Sequence, residues 1–324
     1  MYQEFLPENG NFYKVNMHCH TNLSDGKQTP EEVKEHYKSL GYSAVCFTDH
    51  EVLLGHQDLC DKDFIALHGY EVAIKQDQSG HTAEFMPVYH FNMIAKDQSN
   101  LTIPRFYRYN SSFPGNSAKW AETQKFSSTI DTYFYNVNWL NWYLNEVKNG
   151  GFLINYNHPE WSLQTVSDYI DLEHLHSIEV INGGCRRLND NTALHYQNLL
   201  RAGKKLVPTG GDDNHSQKEC GRSWTIIKAP ELSYEALIAA YERGDCYASE
   251  GPEILSLVLD GDTIRVKTSP AATVTLLSEG RHTQQAYNCT CAEFSYRPKK
   301  FGRYFRIEVR DAAGNKAFSN AYKP

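Results

Sequence analysis

Nine side chains able to ligate a metal stand at or near the ends of short apolar runs in this chain of 324 residues. His18-Cys19-His20 comes first, then Asp25 in Ser24-Asp25-Gly26 and His50 in Thr48-Asp49-His50; Glu71, His90, His158, Asp213 and His215 follow. Alternate residues of an extended strand point to the same side, so His18 and His20 can reach one ion together. Imidazole and carboxylate in this mixture suit Zn, Mn or Fe better than Ca or Mg, which prefer oxygen ligands alone. Water on one such ion becomes acidic enough to supply hydroxide near neutral pH, and a second ion can hold the leaving oxygen. Hydrolysis then needs no side-chain nucleophile, and the sequence has neither a Gly-x-Ser-x-Gly elbow nor the glycine spacing of a nucleotide loop.

Each piece alone has a plainer explanation. His-x-His occurs on half-exposed strands, Glu71 could be an exposed strand carboxylate, and Asp25 and Asp213-Asn214 could close turns onto their own backbone. Their joint position carries the argument. His18, His50, His158 and Asp213 fall at or just past the C-terminal ends of Lys14-Val-Asn-Met17, Ala44-Val-Cys-Phe47, Gly151-Phe-Leu-Ile-Asn-Tyr156 and Lys205-Leu-Val-Pro-Thr209. In a barrel of parallel strands such ends converge on one rim, where the chemistry collects. Helices are expected over 29–40, 138–148, 190–201 and 232–243, alternating with these runs in a β/α pattern. After Ser249-Glu-Gly-Pro252 the chain reads instead as short strands separated by Asp-Gly, Ser-Pro and Gly-Asn turns.

The series His18-Cys-His20-Thr21, Ser24-Asp25-Gly26, Phe47-Thr-Asp-His50, Gly69-Tyr-Glu71-Val72, Asn157-His158-Pro159 and Gly211-Asp-Asp213-Asn-His215 resembles the PHP (polymerase and histidinol phosphatase) family. The motifs run in the family's order over roughly residues 14–228. The resemblance implies a distorted (β/α)7 barrel with two or three divalent ions (Mn, Fe or Zn) at its C-terminal rim. It also implies hydrolysis, usually of a phosphoester, by a metal-bound hydroxide positioned by Glu71 and Asp213. It places His18, His20, Glu71 and Asp213 on one ion, with Glu71 bridging to a second held by His90 and His158, and Asp25, His50 and His215 on a third. Two positions stay open on the residues themselves. His81, in the polar insertion 76–84, competes with His90, and the strand-like run Val88–Ile94 favours His90. Asp212 competes with Asp213, and the family's Asp-x-His spacing selects Asp213.

Phosphate would also call for cations, and Arg186, Arg187 and Arg222 are the expected substrate-binding residues because the planar guanidinium fork suits a phosphoryl group. Residues 97–132, rich in Ser, Asn and aromatics, form an irregular insertion that reads as a lid or substrate loop, or equally as a surface excursion. The expected division is a hydrolase barrel over 1–250 and a small immunoglobulin-like β-sandwich over 251–324. The tail carries 11 Lys plus Arg against 7 Asp plus Glu, a net +4, so the first 250 residues hold −11 of the overall −7. That acidity argues against nucleic acid as the main partner, because polyanion binding draws on clustered cations. No apolar run is long enough for a membrane helix, the N-terminus lacks a secretory pattern, and eight scattered cysteines match a reducing compartment. A cytoplasmic phosphoesterase acting on a small phosphorylated metabolite is the expectation. The stretches Gly210–His215, Gly221-Arg-Ser-Trp-Thr225 and Gly251-Pro252 also resemble a metallohydrolase branch that includes carbamate-ester hydrolases, so a carboxyl or carbamate ester is the alternative. A non-catalytic metal- or carbohydrate-binding module comes third.

Overall fold

The computed structural model describes residues 2–6, 10–76, 83–107, 114–120, 123–185 and 192–323. The chain is a mixed α/β protein dominated by sheet. In its first part the strands are β1 (Tyr2–Glu4), β2 (Asn11–Asn16), β3 (Ala44–Phe47), β4 (Ile65–Lys75) and β5 (Val88–Ala95), then the two-residue β6 (Thr102–Ile103), β7 (Phe106–Tyr107), β8 (Lys125–Phe126) and β9 (Thr129–Ile130). There follow β10 (Phe152–Tyr156), β11 (Ser177–Asn182), β12 (Val207–Gly211), β13 (Trp224–Ala229) and β14 (Cys246–Ser249). The tail adds β15 (Ile254–Asp260), β16 (Thr263–Ser278), β17 (Thr283–Ser295), β18 (Phe305–Arg310) and β19 (Lys316–Ser319). Among the described residues six α-helices intervene: α1 (Pro30–Ser39), α2 (Val137–Asn149), α3 (Val166–Tyr169), α4 (Thr192–Arg201), α5 (Tyr234–Arg243) and α6 (Pro298–Phe301).

Local chemistry explains the longer helices. At α1 the Thr29 side chain accepts from the Glu32 N–H while Glu32 reaches back to the Thr29 N–H, and Pro30 occupies the first turn, where a missing N–H costs nothing. Asn136 and Ser233 cap α2 and α5 in the same sense, and α5 stops at the left-handed Gly244. α2 turns Leu140, Tyr143, Leu144 and Val147 inward onto β10. Each such fully buried aliphatic side chain stabilises the fold by roughly 1.5–3 kcal/mol.

Strands β2, β3 and β4 run parallel, β5 is antiparallel to both β4 and β10, and β10, β11 and β12 run parallel again. The row curls until its ends meet, with Cys19 bridging Asn214, the His20 N–H donating to the Asn214 carbonyl and the Asp213 N–H to the His18 carbonyl. The all-parallel expectation is thus corrected at β5. Among the described residues only the short 3-10 turn Ala83–Phe85 lies between it and β4, and the chain returns antiparallel as a hairpin does.

The tail does not form a sheet of its own. Its strands continue the main one through β14–β19 pairing, and β15 carries β1 at the far edge, so that 15 strands among the described residues are hydrogen-bonded in one sheet. The insertion 97–132 pairs β6 with β8 and β7 with β9. Among the described residues, no helix is long and apolar enough to cross a membrane.

Candidate metal centre

Glu71 is the hub. It lies buried in β4 opposite Asn92 of β5, while Ala73 faces His90. Because facing residues of paired strands share a side of the sheet, Glu71 and His90 point the same way, and Val72 and Phe91 enter the core behind them. The ends of the other strands bring the remaining groups to this point. His18 and His20 follow β2, His50 follows β3, His158 follows β10, and Asp213 and His215 follow β12; Asp25 comes from the loop before α1.

Glu71 Oε1 lies 3.4 Å from His18 Nε2, 3.0 Å from His90 Nδ1 and 3.4 Å from His158 Nε2. Its Oε2 lies 3.3 Å from His20 Nε2 and 3.1 Å from His50 Nδ1. Asp213 Oδ1 stands 3.3 Å from His18 Nε2 and 3.0 Å from His20 Nε2. The two histidine nitrogens themselves approach to 3.1 Å. Donors bound to one ion at about 2.1 Å sit about 3.0 Å apart at right angles and about 3.4 Å apart at the tetrahedral angle, so these spacings are those of atoms that share a cation. Further out, Asp25 is 3.8 Å from His20 Nδ1, 3.8 Å from His50 Nε2 and 3.5 Å from His215 Nε2. Among the described residues the potential ligands fall into overlapping groups: His18, His20 and Asp213; Glu71, His90 and His158; His18, His158 and Glu179; and His20, Asp25, His50 and His215. His18, His20 and His158 each stand in two of them.

Two orphaned atoms bear on whether this chemistry fits an ion. Within the buried cluster, His20 Nδ1 and His90 Nδ1 have no hydrogen-bond partner among the described residues, although a buried polar atom without one is costly. His90 Nδ1 faces Glu71 without hydrogen-bond geometry, as expected of donors aimed at a common point. The set of five imidazoles, Glu71 and Asp213 fits a divalent cation of the Zn, Mn or Fe kind.

Electrostatics agree. Burial pushes the Glu71 carboxyl up, but the fields of His90, His18 and His50 outweigh it and hold it well below the carboxylate range. Asp213 is likewise pushed up by burial and pulled further down by His18, His20 and His158. Burial lowers His20, yet Asp213 and Glu71 reverse this and hold it at about 10. His50 is pushed down to about 3, chiefly by burial. Charge of both signs is packed densely here, the pattern of a functional site.

The carboxylate partners of the ligands are less visible in the sequence. Glu179, in β11, accepts from His18 Nδ1 at 3.2 Å, from the His158 N–H at 3.1 Å and from Asn182 Nδ2 at 2.8 Å. A carboxylate can only accept, so His18 carries a proton on Nδ1 and turns Nε2 to the cluster, where loading an ion would require that nitrogen to be deprotonated. Asn157 donates to Glu71 Oε1 at 2.8 Å and steadies the hub. Asp49 accepts from the Thr21 and Ser24 N–H groups and from both hydroxyls, which fixes the loop carrying Asp25.

Asp212 turns away from the cluster and accepts from the Gly221, Arg222 and Ser223 N–H groups and the Tyr37 hydroxyl, leaving Asp213 to face the imidazoles. His90 is in the cluster; His81 lies outside the described residues, as do Arg186 and Arg187. The Arg222 guanidinium donates to the Gly183 and Lys218 carbonyls, an arrangement that holds loops together. In the insertion, Asn116 donates through its N–H to the Ser24 carbonyl and through Nδ2 to the Asn22 carbonyl, docking residues 114–117 on the Asp25 loop. Beside His50 and His90 opens a cavity of ≈ 600 Å³.

Residues 16–110 match the PHP domain. The matched span includes His18, His20, Asp25, His50, Glu71 and His90, and the PHP family is the one the motifs resemble. No curated protein matches the chain. Among solved structures, a two-domain protein from Bacteroides vulgatus containing a predicted PHP-like metal-dependent phosphoesterase is similar over 99% of this chain and 98% of that one, at 16% identity and a TM-score of 0.47. An amidohydrolase from Chromobacterium violaceum covers 62% of this chain and 87% of its own, at 14% identity and a TM-score of 0.38. A lesion-specific endonuclease from Pyrococcus furiosus covers 72% and 56%, at 13% identity and a TM-score of 0.40.

Proposed function

We propose that this protein is a metal-dependent phosphoesterase that hydrolyses a small phosphorylated metabolite at a centre of two or three ions, with Mn, Fe and Zn as the candidate metals. The observation that carries the reading is the convergence of five imidazole nitrogens and the Asp213 carboxylate on Glu71 and one another at 3.0–3.4 Å. His18, His20, Glu71 and Asp213 would hold one ion, Glu71 with His90 and His158 a second, and Asp25, His50 and His215 a third. Divalent ions there would acidify water and neutralise the phosphoryl oxygens. Strands β2, β3, β4, β5, β10, β11 and β12 would constitute the distorted (β/α)7 barrel within residues 1–250, and 251–324 an immunoglobulin-like β unit joined to it edge to edge.

The residues of the chain have definite parts in this reaction. Asp213, whose side chain is partly exposed at the mouth, offers an acceptor that orients the attacking water. His215 and Asp25, also partly exposed, flank the entry of the phosphoryl group. The water oxygen bonds to phosphorus, the ester P–O bond breaks, and the departing alcohol takes up the proton that the water gave. The described residues set no unengaged arginine fork at this point, since Arg222 is committed to carbonyls, so the charge of the phosphate would be met mainly by the ions. The second reading is an uncharged carboxyl or carbamate ester, which the mainly apolar wall beside His50 and His90 would accept.

The test is phosphate release from nucleotide, sugar and amino-acid phosphates by stripped protein reloaded separately with Mn, Fe(II) and Zn, beside a neutral ester. Release that vanishes in His18→Ala supports the phosphoesterase. Cleavage of the neutral ester alone replaces it with the second reading, and no turnover of any ester by any loaded form rejects both.

A further inference from the structure

We propose that the cavity beside His50 and His90 receives the non-reacting part of the substrate, and that this part is a flat aromatic group of one or two rings attached next to the scissile bond. The inference deepens the phosphoesterase reading and rests on it. The cavity has ≈ 600 Å³, enough for an organic group well beyond a methyl or ethyl, and shares His50 and His90 with the ligand cluster, so whatever fills it lies against the reacting centre. Ala73, Met86, Val88, Pro114, Trp161 and Leu163 make its lining largely apolar, with Lys75 and Glu84 as the charged residues on its wall. Ala73 faces His90 across the β4–β5 ladder, which places apolar wall and ligand on the same side of the sheet.

A second observation concerns how the wall is held. Trp161 and Leu163 are each 46% exposed, an unfavourable state for two large apolar side chains so close together. Their loop is nevertheless firmly fastened. The Ser162 N–H donates to the His158 carbonyl, the Gln164 N–H to that of Pro159, and the Val88 N–H to that of Ser162. Gln164 Nε2 also donates to the Val88 carbonyl and the Tyr135 hydroxyl. Leu163 is kept at φ +57°, a left-handed conformation that disfavours a branched side chain. A fixed, strained loop that holds apolar groups in solvent is explained by a ligand that covers them.

Shape selects the aromatic class. The Trp161 ring lies 5.4 Å from the His90 ring at 45° and 5.1 Å from the His158 ring at 80°, so flat faces line the approach to the cluster. Planar groups make the most of such walls through stacked and edge-to-face contacts, and a flexible alkyl chain does not.

The experiment compares 2-naphthylmethyl phosphate, octyl phosphate and ethyl phosphate on metal-reloaded protein, wild type against Trp161→Ala and Leu163→Gly. All three release primary alcohols of similar acidity, so differences in kcat/KM report contacts to the leaving group. The expected result is a preference of at least about tenfold for the naphthylmethyl ester over both others, shrinking about tenfold in Trp161→Ala mainly through KM. Equal rates for naphthylmethyl and ethyl phosphate, or a preference for octyl, overturn the inference and leave the phosphoesterase reading intact. If none is hydrolysed, the metabolite-phosphate panel still tests that reading, and binding of 2-naphthylmethanol followed by tryptophan fluorescence decides the inference: saturable binding lost in Leu163→Gly upholds the aromatic site, and its absence in wild type removes it.

Discussion

Replacing Glu179 by Gln should weaken metal binding without removing any ligand. The carboxylate takes three donors, His18 Nδ1 through Oε1 and the His158 N–H and Asn182 Nδ2 through Oε2. Glutamine keeps the shape but has one acceptor oxygen and one NH2, so whichever way it turns, at least one buried donor faces another donor, at about 1–3 kcal/mol. His18 also loses the anion that orients its ring and raises the basicity of Nε2. Loss of such a partner typically lowers affinity 10–100-fold, or about 1.4–2.7 kcal/mol. The assay is competition for Zn against a chromophoric chelator, with thermal unfolding of the stripped proteins to separate folding from binding. Affinity within threefold of wild type in a folded variant would refute the assignment. A fall beyond about a thousandfold, with one ion lost from the stoichiometry, would instead make Glu179 a ligand in its own right.

Four other perturbations test the surrounding design. With His18 held well above its ordinary range and His20 at about 10, both imidazoles carry protons at pH 7 in the stripped protein, so loading an ion must displace them. Calorimetry in buffers of different ionisation enthalpy should show about two protons released, and uptake without release would contradict the assignment. The raised His20 stabilises the stripped fold fully below about 6.5 and loses that contribution as pH rises through about 10, so stripped protein should lose stability towards that pH. Asp212→Ala leaves the Gly221, Arg222 and Ser223 N–H groups and the Tyr37 hydroxyl without their acceptor, which should cost on the order of 3 kcal/mol in urea unfolding while ion stoichiometry stays unchanged; an unshifted urea midpoint would count against this role. Truncation after Glu250 removes the partner of the β14 edge and uncovers Phe5, Leu6 and Tyr247, so the shortened chain should aggregate; a soluble and active 1–250 would show that the tail is dispensable.

The residues of the cluster were legible as candidate ligands because their motifs are local: a strand end, a turn, an imidazole two residues on. Glu179 was not, since it sits in the middle of Ser177–Asn182, where the apolar run announces a strand and nothing marks one carboxylate as inward-facing. Alternation likewise says which residues share a side but not whether two strands run parallel, so the direction of β5 was open. The polar stretch between β4 and β5, which lacks a helical pattern, was the available signal for a hairpin. In the tail, Ser269-Pro270 reads as a turn between two strands. The structure runs straight through as the single β16, with Pro270 in the register shift between Lys267 and Ala271, where a missing N–H leaves the ladder intact.

The non-ligand carboxylates explain how such a cluster can exist in the chain. Asp213 at φ +50° and His158 at φ +22° hold backbone conformations that L residues rarely adopt, and both belong to the centre. Next to each is a buried carboxylate engaged with main-chain N–H groups. Glu179 receives the N–H of His158 itself, and Asp212, the neighbour of Asp213, gathers three from residues 221–223. Asp49 does the same for the loop of Asp25. The carboxylates at the cluster are therefore arranged in two layers, one facing the imidazoles and one fastening the loops that present them. Because the outer layer binds backbone, whose donors persist whatever side chains change, it can hold strained ligands in place even before an ion arrives. The stripped protein should accordingly keep its loops ordered, and hydrogen exchange at His158 and Ser223 that remains slow after chelation is the measurement that checks it.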